Sequence, residues 1–491
     1  MHAPLSHLAS DPSALSRDRL QRVAGWGGAS SAMSWVYRPT TLEGVHAALA
    51  AARAHGLSVG LRGAGQSYGD ASLNGENVTL DLSRMTRILD WNPDTGVARV
   101  EPGVTIRQLW EYAVEDGWWP MVVPGTMFVS LGGAVGANVH GKNAWKVGPI
   151  GDHVHAVDLL LPSGEQRTLT RDADPELFRA TIGSFGLLGV VTSVTLSLKR
   201  VYSGQVLVEA ATAPHLDALV DAFEARAPEA DYLVGWVDLF ARAPALGRSV
   251  IHQASYLAPG DDLRPARTLR RESQELPPTL FGVVPKTVLG PLMRPLLNDL
   301  GARLVNTAKY RLSVAQGTHR FLQPHAAFHF LFDYIPQWKR AYGPGGLIEW
   351  QCFLPAAATR ATLREIVERM QRAGVLPYLG VFKKHRPDAF LVSHGVDGYS
   401  LACHFKVTAS RRPALWRLCR ELNRVVIEAG GRFYLAKDST LEPGDLERSL
   451  GAGSVARLLA LKRTCDPETL LQTELFRRLF PDALPVAPSR A

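Results

Sequence analysis

Cysteine is scarce in this chain. Its 491 residues include four, Cys352, Cys403, Cys419 and Cys465, and no two form a CxxC pair. That spacing gives no zinc knuckle and no dithiol motif, so no metal site is expected and reduced core thiols are the simplest reading. Long apolar runs are missing too. Val154–Leu161 is broken by Asp158, and nothing approaches the roughly 20 residues of a bilayer span. The first twenty residues have no apolar core and carry Asp11, Arg17, Asp18 and Arg19. The expectation is a cytoplasmic protein without a signal peptide and with at most a peripheral membrane contact. Charge of one sign is not in large excess: 54 Lys and Arg against 46 Asp and Glu leave +8. The cations are scattered, whereas a nucleic-acid surface gathers them with aromatics on one face. Nucleic acid is therefore not the expected partner, and a mildly basic surface that attracts phosphorylated or anionic ligands fits.

What is present is a chain long enough for two to four folding units. Thr41–His55 reads as a helix with Thr41 as its N-cap and Val45, Leu49 and Ala52 on one face. Leu57–Arg62, Val78–Leu82 and Ala98–Val100 read as strands, the last preceded by an Asn92–Gly96 turn. Thr105–Ala113 and Pro175–Ile182 read as helices, Val154–Leu161 with Gln166–Leu169 as a hairpin, and Gly189–Leu198 as a long strand. After Arg200 the pattern changes. Strands at Gln205–Ala210, Tyr232–Phe240, Leu347–Leu354 and Ser400–Val407 mix with helices at Leu216–Ala225, Ala361–Ala373 and Pro413–Ala429. That mixture suits an α+β unit built on an antiparallel sheet. Arg264–Pro295, rich in Pro, Leu and Arg, reads as an irregular insertion. The expected division is 1–200, 201–430 and a returning segment 431–491.

Three glycine-rich segments carry the chemical signal. In Arg62-Gly63-Ala64-Gly65-Gln66-Ser67-Tyr68-Gly69-Asp70 the glycines free the backbone to cradle an anion with its N–H groups. The loop has no GK[ST] and lacks G-x-G-x-x-G spacing, so it is neither a Walker loop nor a Rossmann fingerprint; an ordinary turn remains an equal reading. The second segment runs from Pro124-Gly125-Thr126 through Leu131-Gly132-Gly133-Ala134 to His140-Gly141-Lys142-Asn143. So few large side chains imply that a helix or a large flat ligand presses on the backbone. His140 is either a satisfied core histidine or a ligand-lining one, and Lys142 either a surface lysine or a cation beside a negative centre. Gly183-Ser184-Phe185-Gly186, alone, reads as a helix end and a turn. Together the three segments fit a long ligand lying extended over a sheet.

These residues resemble the vanillyl-alcohol-oxidase-type (PCMH-type) FAD-binding family, which also contains aldonolactone and alditol oxidases. Within it they are most similar to the decaprenylphosphoryl-β-D-ribose 2′-oxidases. The likeness runs through Gly25-Trp26-Gly27, Arg62-Gly63, Ser67–Asp70, Pro124–Thr126, His140–Asn143, Arg340–Pro344, Val381-Phe382-Lys383 and Ala436-Lys437-Asp438-Ser439. It implies a two-part FAD-binding domain with an inserted substrate, or cap, domain. Gly63, Ala64, Gly65, Gln66, Ser67 and Tyr68 would wrap the FAD diphosphate. Gly125, Thr126, Gly132, Gly133, Asn138, His140, Gly141, Asn143 and Tyr434 would line the cofactor, with Gly186 and Val190 toward the adenine. Relatives that attach flavin covalently use a histidine in the first loop. Gln66 and Ser67 stand there, so FAD is expected to be non-covalent.

Lys437 matches the family's active-site lysine, where a cation stabilises anionic reduced flavin. Tyr68 and Lys142 join it as catalytic candidates, and Gln351, Lys383, His329 and Cys403 are substrate-side candidates. The family's active-site cysteine aligns with Ala402, or with Cys403 after a one-residue slip, and His329 occupies a tyrosine position. Both departures bear on the substrate more than on the flavin. The implied reaction is oxidation of a secondary alcohol of a sugar or lipid-linked sugar to a ketone, with a short-chain reductase as an expected partner if the net reaction is an epimerisation. Oxidation of a free aldonolactone or alditol, double-bond reduction and an inactive flavin-binding partner protein are the alternatives.

Overall fold

Thr41 does cap the first long helix: its side chain accepts from the Gly44 N–H, and the helix runs Leu42–Ala54. The cap satisfies one of the amide donors that a first turn leaves free. Val45, Ala48, Leu49 and Ala52 form the buried face and pack on Val59, Val78 and Leu80 of a four-stranded sheet. This and all that follows comes from a computed structural model that describes residues 15–280 and 284–484. Part of the expectation about a leader falls on residues 1–14, part of the insertion on 281–283, and the end of the returning segment on 485–491; these lie outside the described residues.

The first sheet orders Leu20–Ala24, Ser31–Tyr37, Val78–Asp81 and Val59–Arg62. Its last three strands are parallel. A second, antiparallel sheet orders Ile88–Asn92, Val97–Val100, Val190–Arg200, Val154–Leu160 and Gln166–Thr170, with Trp118–Pro120 pairing the far end of the long strand. The turn before Val97 is held by Asn92, whose side-chain oxygen accepts from the Asp94 and Thr95 N–H groups. Thr105 and Gln108 form a capping box on the Ile106–Ala113 helix.

The third sheet is antiparallel and eight-stranded. Its order is His319–Pro324, Gln205–Ala213, Ser249–Tyr256, Tyr232–Val237, Leu379–His385, Gly398–Lys406, Leu347–Pro355 and Arg432–Phe433. The Tyr232 strand stops before the expected Phe240 because Asp238 turns the chain, its carboxylate accepting from the Phe240 N–H. Helices Leu216–Arg226, Ala356–Ala373 and Arg412–Glu428 are amphipathic and bury rows such as Leu363, Ile366, Val367 and Met370 against one sheet face. The other face looks toward the glycine loops.

The irregular insertion is a series of short turns and two-residue strands. Directly after it comes an 18-residue helix, Asp299–Gln316, that the sequence reading passed over. The chain then returns: Leu470 and Gln472 bond Val59 across the first sheet. Arg478 completes the return. It holds Asp70 with two bonds of 2.8 and 2.9 Å and Asp438 with one of 2.8 Å, so the C-terminal segment clasps both the first glycine loop and the Ala436–Ser439 segment.

Removing that guanidinium deprives Asp70 and Asp438 of their shared cation, a loss of roughly 2–4 kcal/mol for a partly buried network. Arg478→Ala is expected to lower the unfolding free energy measured in urea by this amount and to release flavin at lower temperature. A variant as stable as the wild type in both measurements would show that the clasp is dispensable.

Candidate active site

The strand Val59–Arg62 ends in the first glycine loop, and the loop's glycines are fixed by space as well as by conformation. A Cβ on Gly63 would lie 2.2 Å from Ser130 Oγ, and Gly65 has φ +64°. Ser130 Oγ accepts from the Ala64 N–H at 3.0 Å. Farther on, the Tyr68 N–H bonds the Ala436 carbonyl at 2.9 Å, which sets the first loop against the lysine segment. The second loop is braced by Asp333: its carboxylate accepts from Thr126 Oγ1 at 2.8 Å and from the Met127 N–H at 2.7 Å. Burial pushes Asp333 up to about 6.

Between these loops and the free face of the eight-stranded sheet lies a cavity of about 760 Å³, at the upper end of the usual ligand-site range. Gly63 through Tyr68, Gly125, Thr126, Gly132, Gly133, His140 and Gly186 line one side. The opposite wall is a set of cross-strand neighbours. Trp236 pairs with Val381, Val381 with Ala402, and Ala402 with Gln351. Side chains paired across an antiparallel sheet share a face, and all four line the cavity. Lys383, His329, Lys142, Tyr434 and Lys437 line it as well.

Not every expected contact reaches the cavity. Cys403 is the clearest correction: strand alternation turns it to the opposite face, where it is fully buried among core residues. Ala402 takes the cavity-side position, and His404 lies on the same strand face. Asn138, Gly141, Asn143 and Val190 are corrected from lining to supporting residues. Asn138 accepts from the Gly151 N–H, and Asn143 donates to the Met121 carbonyl. A Cβ on Gly141 would lie 2.5 Å from Asn143 Oδ1, and Val190 packs in the core with Leu160 and Val59.

Sequence reasoning missed the centre of the site. Glu349 Oε2 accepts from Lys437 Nζ at 3.1 Å and lies 2.8 Å from His404 Nε2. The same His404 nitrogen is 3.2 Å from the Tyr68 hydroxyl. Lys437 Nζ sits 3.9 Å over the Tyr68 ring. Burial alone would raise the Glu349 pKa; Lys437 and His404 outweigh it and hold the carboxylate well below its usual range. Burial lowers Lys437, with Glu349 opposing. Burial, and then Glu349, raise Tyr68 well above the ordinary phenol, so it stays protonated. A signal for Glu349 existed: in the apolar strand Ile348-Glu349-Trp350-Gln351, period two puts it on the same face as Gln351.

Two further lysines approach from the sides. Lys142 Nζ donates to the His329 carbonyl at 2.6 Å, and burial followed by the charge of Lys383 lowers it to about 7. Lys383 is lowered to about 8, by burial and then by Lys437. The contact from His329 is thus through its backbone; its ring stacks on Trp119 and is kept neutral by burial. His140 Nε2 faces Gln351 Nε2 at 3.3 Å and is likewise held neutral, chiefly by burial. Buried Gln66 Oε1 and His140 Nδ1 have no partner among the described residues. A long cavity, a glycine cradle and unpartnered polar atoms along it fit an extended dinucleotide such as FAD.

Comparison with known proteins agrees. A family model described as an FAD binding domain matches residues 33–170. The chain is 31% identical to decaprenylphosphoryl-beta-D-ribose oxidase of Mycolicibacterium smegmatis, over 94% of this chain and 97% of the relative. It is 31% identical to an uncharacterized protein in the mprA 5' region of Streptomyces coelicolor, over 77% of this chain and all of that one. D-arabinono-1,4-lactone oxidase of Yarrowia lipolytica is 26% identical over 36% of this chain and 34% of its own length. The protein is therefore an FAD-dependent oxidoreductase, and it belongs to the PCMH-type FAD-linked family that includes decaprenylphosphoryl-beta-D-ribose oxidase.

Proposed function

We propose that the enzyme oxidises a secondary alcohol on a polyprenyl-phosphoryl sugar to a ketone. The observation that carries this reading is the charge of the cavity wall. Lys142, Lys383 and Lys437 face a single lining carboxylate, Glu349, among the described residues. That imbalance in an enclosed site calls for an anionic ligand. Beyond Lys142, Lys383 and Lys437 the wall gains apolar side chains, Met293, Leu296, Leu297 and Val305, beside Asn306 and Lys309. A phosphoryl sugar with an apolar tail matches both ends. A free lactone matches one, and the likeness to the lactone oxidase covers about a third of the chain.

The proposed chemistry balances as follows. The carbinol carbon loses a hydride, the hydroxyl loses a proton, and a ketone forms. When bound, FAD supplies the hydride acceptor. Tyr68 stays a phenol and orients the substrate hydroxyl, whose proton leaves to water. His404 Nε2, 2.8 Å from Glu349 and 3.2 Å from the Tyr68 hydroxyl, fixes the phenol in place. Lys437 is an electrostatic stabiliser first: its ammonium is held by Glu349 and the Tyr68 ring and supplies positive charge where negative charge develops. Lys142, Lys383 and Gln351 position the substrate. His140, Gly125, Thr126 and the Gly63–Tyr68 loop hold the cofactor. The same reading divides the chain into a FAD-binding part at 1–200, a cap at 201–430 and a returning segment at 431–491. A reductase that consumes the keto-sugar would complete an epimerisation, and its co-purification would support that extension.

Anaerobic flavin bleaching tests the substrate. A polyprenyl-phosphoryl pentose should bleach the enzyme and a free pentonolactone should not; the reverse order would overturn the assignment. In the same assay Lys437→Ala should slow bleaching by roughly 10²–10³ with flavin still bound. FAD is expected to be non-covalent, since Gln66 and Ser67 offer no imidazole or thiol. Acid precipitation should leave a yellow supernatant and a white pellet.

The pH dependence follows from the lysines. Lys142 and Lys383 carry their charge below about 7 and 8 respectively. Their attraction for a phosphoryl group is present at lower pH and fades as pH rises. KM for the phosphoryl sugar should climb between about pH 6 and about pH 9, and Lys142→Met should flatten much of that rise.

A further inference from the structure

The helix Asp299–Gln316 is amphipathic in the wrong direction for a core helix. Its buried residues are Gly301, Ala302 and Asn306. Leu300, Leu304, Ala308, Leu312 and Ala315, at i, i+4, i+8, i+12 and i+15, form one outward stripe. Leu300, Leu304 and Leu312 are 68%, 59% and 65% exposed. What pins the helix to the sheet is polar: Asn306 donates to Asp238, and Arg248 donates to Thr307 at 2.8 Å. The leucines are not needed to hold it in place.

The stripe is not isolated. Eleven of the eighteen large exposed hydrophobics among the described residues fall within 288–331, including Leu292, Phe321 and Leu322. Scattered exposed apolar residues need no explanation, but a concentration of this kind marks a contact surface. Leu296, Val305 and Leu331 belong to this surface and also line the cavity. The apolar face is therefore continuous with the apolar end of the active site.

Charge identifies the occupant. Residues 288–331 hold five Lys and Arg and one acidic residue, Asp299, which Arg411 already pairs. Arg294, Arg303 and Arg311 are exposed and have no ion-pair partner among the described residues. Leucines interleaved with unpaired arginines suit the boundary of an anionic lipid leaflet, where acyl chains meet negative headgroups. No described helix is long and apolar enough to cross a membrane, so the contact would lie in the plane of one leaflet.

We propose that the 288–331 face docks on an anionic membrane surface, so that a lipid-linked substrate enters the cavity from the leaflet without its tail crossing water. The inference rests on the substrate reading above, but its test does not. Flotation of the holoenzyme with vesicles of phosphatidylcholine and phosphatidylglycerol reads the surface with no substrate present. The wild type should float, and the triple variant L300E/L304E/L312E should lose its bound fraction by about tenfold. None of those three side chains lines the cavity, so the variant should keep its flavin spectrum. It should also keep its bleaching rate with a short-chain, water-soluble phosphoryl pentose. A wild type left in the soluble fraction would overturn the proposal, as would a triple variant that floats equally well. So would a dimer that the triple variant splits in solution without any change in flotation. If flotation succeeds while no phosphoryl sugar bleaches the flavin, the substrate reading fails alone.

Discussion

One buried carboxylate organises this enzyme. Glu349 lies on Leu347–Pro355, the next-to-edge strand of the eight-stranded sheet, and is 5% exposed. A carboxylate so enclosed costs several kcal/mol unless it is paired and hydrogen-bonded. Its partners come from three places: His404 from the next strand, Lys437 from the returning segment, and Tyr68 from the first glycine loop by way of His404. None of these contacts forms unless the eight-stranded sheet, the C-terminal return and the loop have met. The charge cluster thus couples assembly of the site to docking of the three segments.

The surrounding bonds make that meeting rigid. The Ala436 carbonyl holds the Tyr68 N–H, and Arg478 spans Asp70 and Asp438, so the loop and the lysine segment are tied on both sides of the cluster. Asp333 does the same for the second loop. A redox reaction gains from donors and charges that are already in place, because no reorganisation is then required as charge shifts. The strain-free route to such rigidity is backbone bracing, and the glycines make it available. Gly63 admits Ser130 against the loop, where any side chain would collide.

This division explains what could be read from the sequence. Glycine loops, the Thr41 cap and the Asn92 turn depend on neighbours a few residues away, and each is legible as written. FAD as the cofactor followed from them and from the resemblance they carry. Glu349 and His404 are 55 residues apart and meet only through sheet pairing, which no local pattern encodes. The choice between Ala402 and Cys403 was likewise a question of register: one residue of slip exchanges cavity for core. The Asp299–Gln316 helix escaped notice for the opposite reason. Sequence reading looks for an apolar stripe to bury, and this helix turns its stripe outward.

The lysines extend the argument from structure to ligand. Lys142 is lowered mostly by burial and further by Lys383, and Lys383 mostly by burial and further by Lys437, so the ligand-free wall is short of protons relative to ordinary lysines. An anion placed among them reverses both causes: it supplies the missing counter-charge and favours the ammonium form. Binding a phosphoryl group near neutral pH must therefore draw protons into the site. A neutral sugar gives the lysines nothing and leaves their desolvation uncompensated. The wall discriminates between the two by the cost of its own charges, before any contact with the sugar hydroxyls is made.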